Sequence, residues 1–216
     1  MRFHLDDDER MIRDAVHAFA IEQVEPAAAR WDETHHFPAE TIAALADLGL
    51  LGFLVPERLG GAGLGAPTFA VAIEELAAAD AGLATALVTH AGSAITALLG
   101  CDGVDRALIA GLAAGRQIAC LADEGASARD DAGAWSLSGR IEHVLLAGHA
   151  DIAVVGAKAG EEVLIFAVDL NAEGVARQGL GDALGLVTCG TATLTFDAVS
   201  LPASGCLARG AAAQAA

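Results

Sequence analysis

The chain reads as an α+β protein, an all-helical N-terminal domain followed by a small antiparallel β-barrel or sandwich domain. Apolar residues recur at helical spacing as far as about Gly115. From Gln117 onward, short runs of Val, Ile, Leu and Thr sit between Gly, Asp and Asn clusters. The 216 residues are 54% hydrophobic and only 19% charged, so a buried core is affordable despite a net charge of −17, and a disordered acidic chain is excluded.

In the first part, Ile12, Val16, Phe19 and Ala20 fall on one face opposite Asp14, His17 and Glu22, which predicts a helix over residues 6–30. Pro38 suits the first turn of a second helix over 39–47, and Gly49 stops it. Residues 50–55 form a buried connector ending in Pro56. After a glycine loop over 59–65, three Ala/Leu-rich helices are expected near 67–79, 82–99 and 104–114. In the second part, strands are expected over 118–121, 135–137, 141–145, 152–155, 163–168 and 191–196. These patterns divide the chain into residues 1–115, 116–208 and a disordered or truncated tail, 209–216.

Charge and composition narrow the partners. With 29 acidic against 12 basic residues and no Lys/Arg cluster, the chain lacks the footprint of a nucleic-acid or anionic-membrane binder. The stretch 45–55 contains Asp47, Gly49 and Gly52 and is far shorter than the ~20 apolar residues of a membrane span, so no span is expected. The N-terminus carries neither a secretory nor a transit pattern, which places the protein in the cytoplasm. Cys101, Cys120, Cys189 and Cys206 are scattered, without a CxxC pair or a nearby His at ligand spacing, and read as reduced structural thiols with no metal site.

Several motifs invite chemistry. Gly61-Ala62-Gly63-Leu64-Gly65-Ala66 fits a dinucleotide fingerprint, but Pro56, Glu57 and Arg58 interrupt the strand such a fingerprint requires, and no βαβ alternation follows; a structural turn is expected. The seven histidines, among them His35, His36, His143 and His149, show no ligand spacing and read as solvated or hydrogen-bonded. Asp123-Glu124 and Asp130-Asp131 are adjacent acids of the kind found in solvated turns.

One family resemblance spans nearly the whole chain. Trp31-Asp32, Phe37-Pro38, Leu48 to Gly52, Val55-Pro56-Glu57, Gly60 to Gly63 and Glu74 to Ala77 resemble the N-terminal helical domain of the acyl-CoA dehydrogenases. Leu137, Gly139, Ala150, Asp151 and the run Phe196-Asp197-Ala198-Val199 with Leu201-Pro202 are similar to the middle β-domain of that family. The resemblance implies FAD, and the aligned flavin segments place cofactor-binding positions at Leu121, Ala122, Ala128, His143 and Leu145. There Ala122 and Ala128 stand where the family has Thr and Ser, Arg129 where it has Asp, His143 where it has Trp, and Leu145 where it has a hydroxyl donor. The segments are therefore degenerate, and FAD binding by this chain alone is expected to be weak or absent.

The family also carries its catalytic base in a C-terminal helical bundle beyond the segment represented here, so no catalytic residue is assigned and the chain alone is expected to be inactive. Three functions are compatible with these residues. The first is a degenerate acyl-CoA dehydrogenase-like subunit that works with a full-length competent partner or self-associates. The second is a competent FAD-dependent dehydrogenase, or a fragment of one, that takes acyl-CoA and passes electrons to an electron-transfer flavoprotein. The third is a non-enzymatic interaction module.

Overall fold

The computed structural model describes residues 4–181 and 183–210. Helix α1 (Asp7–Phe19) starts from a capping box: Asp6 accepts the Glu9 amide and Glu9 accepts the Asp6 amide, each at 2.8 Å. The helix widens into a π-helical stretch, Ala20–Val24, and continues as α2 (Glu25–Thr34), so the helical run extends four residues past the expected end at residue 30. His35, in the left-handed region at φ 51°, ends it.

Helix α3 (Ala39–Asp47) has the bounds its Pro and Gly punctuation predicts. The connector that follows is buried at Leu50, Leu51 and Gly52. The glycine loop folds back on it: the amides of Ala62, Gly63 and Leu64 donate to the carbonyls of Gly52, Val55 and Phe53 at 2.8 to 3.0 Å. A Cβ at Gly61 would collide with the Val55 carbonyl and side chain. This close approach is why glycine stands there, and the loop is the structural turn its sequence context suggests.

Helices α4 (Ala66–Ala79), α5 (Ala81–Leu87), α6 (Thr96–Leu99) and α7 (Arg106–Ala113) complete the helical part, with α5 and α6 joined by a second π-helical stretch, Val88–Ile95. The run Ala81–Leu99 corrects the expectation that no stretch qualifies as a span. By length and composition its 19 residues are apolar enough to cross a membrane, but 67% of the qualifying window is buried inside the fold, as a core helix is.

The second part is one seven-stranded sheet in the order β5-β6-β2-β1-β3-β4-β7. The strands are β1 (Ala119–Asp131), β2 (Ala134–Val144), β3 (Ile152–Ala159), β4 (Glu162–Asp169), β5 (Val175–Gly179), β6 (Ala192–Pro202) and β7 (Cys206–Arg209). All neighbours pair antiparallel except β1 and β3, which run parallel, so the sheet is mixed where the sequence suggested a wholly antiparallel one. β2 is one strand where two short ones were expected, because its pairing with β6 shifts register near Gly139 and interrupts the alternation. From residue 211 the tail lies outside the described residues.

Helices and sheet share their hydrophobic core. One cluster joins Leu45, Leu76 and Leu87 to Leu137, Phe166 and Leu194, and a second joins Ile95, Leu98 and Leu112 to Val154 and Ile165. Polar ties cross the same boundary. Asp80 caps α5 through the Leu83 amide at 2.6 Å and accepts the Thr188 hydroxyl at 2.6 Å. His90, 1% exposed, accepts the Ala119 amide at Nδ1 (3.0 Å). Its other nitrogen therefore carries the proton and faces the Leu112 carbonyl at 3.2 Å.

Burial pushes the His90 pKa down to about 4. Its unfolded value is near 6.5, so the imidazole is neutral in both states above that pH. As pH falls from 6.5 toward 4, the unfolded chain takes up a proton that the fold resists, and stability declines by about 3 kcal/mol from this group. Urea denaturation at pH 7 and pH 4.5 should show this loss, and His90→Gln should flatten the slope across that window. Gly61→Ala should cost about 2 to 3 kcal/mol, read as a lower denaturation midpoint at pH 7.

Candidate functional site

A cleft opens where the long helical run crosses the middle of the sheet. One part, about 250 Å³, is lined by Thr89 and Ser93 from the π-helical stretch and by Leu121, Asp123 and residues 141–145 of the sheet. A second part, about 300 Å³, shares Leu121 and Asp123 and continues past Ala97, Ala126, Gly156 and Ala157 to Lys158. The result is an apolar trough with carboxylates and one lysine along it.

Its shape comes from local irregularity. β1 loses its register against β3 between Ala122 and Ala126, with Glu124 at φ 58° and Gly125 at φ 104°. β2 loses its register against β6 between Ile141 and Val144, with His143 at φ 57°. Bulges re-aim side chains and interrupt pairing, and non-glycine residues at positive φ concentrate at functional sites. Here the two bulges turn Asp123, Glu124 and His143 toward the trough. The helix contributes its own irregularity, since π-helical turns often mark functional positions.

The positions aligned with flavin contacts separate by strand alternation. Leu121, His143 and Leu145 line the cleft. Ala122 does not: it is 1% exposed and packs in the core with Ala128 and Leu137. Ala128 lies near the far end of β1, opposite Leu137 on β2, and is 8% exposed. The five positions are thus divided between cleft and core.

Thr89, Ser93, Asp123 and Glu142 line the cleft as well, and were not among the aligned positions. A signal for the helical pair was present. Thr85, Thr89 and Ser93 recur at intervals of four in an otherwise Ala/Leu-rich helix, which makes a polar stripe on one face.

The side chains present do not fit FAD as bound by side-chain donors. The Thr89 hydroxyl is already committed to the Thr85 carbonyl at 2.8 Å. Ala122 and Ala128 bring only methyl groups, and these face the core, while Leu145 presents a 39% exposed isobutyl group at the cleft. No polar side-chain atom among the described residues is buried without a partner and aimed at a missing ligand.

Nucleophilic and metal chemistry find no support either. Burial pushes the Cys120 thiol up to about 12 and raises those of Cys101 and Cys189, which keeps these thiols protonated and unreactive, while Cys206 is partly exposed. No group of three metal-ligating side chains occurs among the described residues. The Asp130 carboxylate accepts the Gly133 amide at 3.2 Å and shapes the β1–β2 turn. His17 meets Glu75 at 2.8 Å across α1 and α4. The arrangement is equipped to hold an apolar chain between helix and sheet.

Comparison with known proteins agrees with this geometry. The family model for the N-terminal domain of acyl-CoA dehydrogenase matches residues 6–116. Benzylmalonyl-CoA dehydrogenase of Aromatoleum aromaticum is 30% identical across 94% of this chain and 58% of its own length. Human mitochondrial short-chain specific acyl-CoA dehydrogenase is 29% identical across 92% of this chain and 52% of its own. Among solved structures, glutaryl-CoA dehydrogenase from Mycobacterium smegmatis superposes with a TM-score of 0.90 at 29% identity, covering 97% of this chain and 58% of that one. The same enzyme has also been solved with FADH2. The chain spans between 52% and 58% of the length of these relatives. By family-model match, sequence similarity and fold together, it belongs to the acyl-CoA dehydrogenase family.

Proposed function

We propose that the chain supplies the helix and sheet walls of an acyl-CoA site in an α,β-desaturating assembly, and that it depends on a competent partner polypeptide for flavin. The supporting observation is the cleft itself. It lies between the π-helical stretch and the two segments aligned with the family's flavin contacts, while the side-chain donors of those segments are missing. An apolar trough of this size suits an acyl chain, and Lys158 offers a cation to an anionic thioester carrier. An electron-transfer flavoprotein is the electron acceptor this reading assigns to the assembly.

A second reading, a dehydrogenase competent to bind flavin, is favoured by the retained cleft and by similarity extending across both helices and sheet. Flavin stoichiometry separates the two. The purified chain should hold well under one equivalent of FAD after gel filtration, and a full equivalent would establish the second reading instead.

Cleft-facing and core-facing positions should respond differently to restoration. His143→Trp with Leu145→Thr places a ring and a hydroxyl at the cleft and should tighten FAD by roughly tenfold, on the basis of ~0.5 to 1.5 kcal/mol per hydrogen bond. Ala122→Thr with Ala128→Ser puts hydroxyls into the core. It should leave flavin affinity unchanged and lower stability by about 1 to 3 kcal/mol, measured by urea titration. Tighter flavin from the core pair alone would overturn the assignment of these side chains to the core.

A further inference from the structure

Lys158 is the single lysine of the 216 residues; histidines apart, every other basic side chain is an arginine. It stands exposed on β3 and lines the 300 Å³ part of the trough together with Asp123 and Glu124. Although both carboxylates border the same space, neither pairs with the Lys158 ammonium, and no other carboxylate among the described residues does. The amine is left uncommitted at the side of a cleft.

Its neighbours on the strand fix what it faces. Residues two apart on a strand share a face and lie about 6.5 Å from one another. Gly156, two before Lys158, carries the Asp123 carboxylate directly over it: a Cβ at position 156 would meet Asp123 Oδ1 at 2.8 Å. Glycine leaves the room that the carboxylate occupies, and the Glu124 amide donates to the same oxygen at 3.0 Å. Across the sheet Lys158 is in register with Ser127 on β1 and Val163 on β4, neither of which brings a charge.

The two parts of the trough share Leu121 and Asp123. An acyl chain seated in the 250 Å³ part, against Ile141 and Val144, runs out past that shared wall. A thioester at its end then lies between the Asp123 carboxylate and the Lys158 amine. The trough thus holds a nucleophile, a proton acceptor and room for an activated acyl group on one sheet face.

We propose that Lys158 is an acylation site, its amine taking the acyl group of a thioester bound in the trough. The inference rests on the acyl-CoA reading for its donor. The free amine attacks the carbonyl carbon, a C–N amide bond forms and the C–S bond breaks. Asp123 takes a proton from the attacking nitrogen as the thiolate departs. Counted from the ammonium, one proton ends on the carrier's thiol and one in solvent, and nothing is oxidised or reduced. Lysine amines are ready acyl acceptors, and holding amine and thioester together raises the rate above that of chance encounter. The product carries a neutral amide where the ammonium stood, so acylation removes the cation from that part of the trough and obstructs it for the next thioester.

The test incubates the purified chain with butyryl-CoA, folded and in urea, and follows it by intact mass and peptide mapping, which separates Lys158 from the N-terminal amine. Lys158 should be acylated at least roughly tenfold faster in the folded chain, with a rate that saturates in butyryl-CoA. Asp123→Asn should slow the reaction severalfold, and Lys158→Arg should abolish the mapped adduct. Calorimetry with S-butyl-CoA, a thioether with no acyl group to transfer, reads binding separately. Binding of the thioether with equal acylation rates in folded and unfolded chain would overturn the site and leave the acyl-CoA reading standing; no binding together with equal rates would overturn both. Faster acylation that fails to saturate would overturn the trough as its source, and an undiminished rate in Asp123→Asn would overturn the proton's assignment.

Discussion

The rest of the structure depends on one buried imidazole. His90 sits in the π-helical stretch, takes the first amide of β1 and faces the last turn of α7, so a single side chain fixes helix, helix and sheet relative to one another. It does so only as the neutral Nε2–H tautomer, because the Ala119 amide needs a lone pair at Nδ1. A Leu or Phe of similar volume would fill the space but leave that amide buried without an acceptor, a loss of the order of 1 to 3 kcal/mol. Asp151, which accepts the Ile118 amide at 2.8 Å, secures the adjacent residue in the same way. Entry into the sheet is therefore set by two side chains, from a helix and from the start of β3, and not by the chain alone.

The cleft follows from that fixed crossing. With the π-helical stretch anchored at His90, its neighbours Thr89 and Ser93 are carried to the mouth of the sheet, directly over the place where β1 and β2 both lose register. A regular sheet under a regular helix would close on itself with interdigitated side chains and leave little room. Here three irregular segments coincide, one helical and two bulged. Each has a cost in local strain, and their coincidence is what keeps a trough open in an otherwise dense, alanine-rich core.

Much of this was legible in the sequence, and the exceptions have physical causes. α3 could be bounded to the residue because Pro38 and Gly49 act locally, and the long helices could be placed because alanine and leucine repeat over several turns. β5 and β7 were not found. β5 is an edge strand whose residues are nearly all exposed, so no apolar alternation marks it, and β7 is four residues long, with Arg209 lying 5.1 Å over the Trp135 ring to hold it. The parallel pairing of β1 with β3 was hidden because it joins distant residues, as Ala119 with Ile152, and breaks register between Ala122 and Ala126. His90 was invisible for a similar reason: a histidine in an apolar helix gives no sign that its acceptors and donors lie 22 and 29 residues downstream. The flavin-equivalent residues could be aligned from the sequence, but their division between cleft and core is a property of strand phase across a bulge, which spacing alone does not give.

That division separates aligned positions that packing constrains from aligned positions that it does not. On β1, Ala122 and Ala128 face a core built from Trp135, Leu137 and Phe166, where a methyl group packs without the desolvation a hydroxyl would bring. On the cleft side, His143 and Leu145 are exposed, so their identity is constrained by what occupies the cleft and hardly by packing. The architecture is carried by a different set of residues: Asp80 with Thr188 ties α5 to the connection before β6, His90 ties the helical run to β1, and Asp151 ties the entries of β1 and β3, none of them at an aligned flavin position. The fold shared with glutaryl-CoA dehydrogenase at a TM-score of 0.90 therefore rests on residues other than the aligned flavin positions.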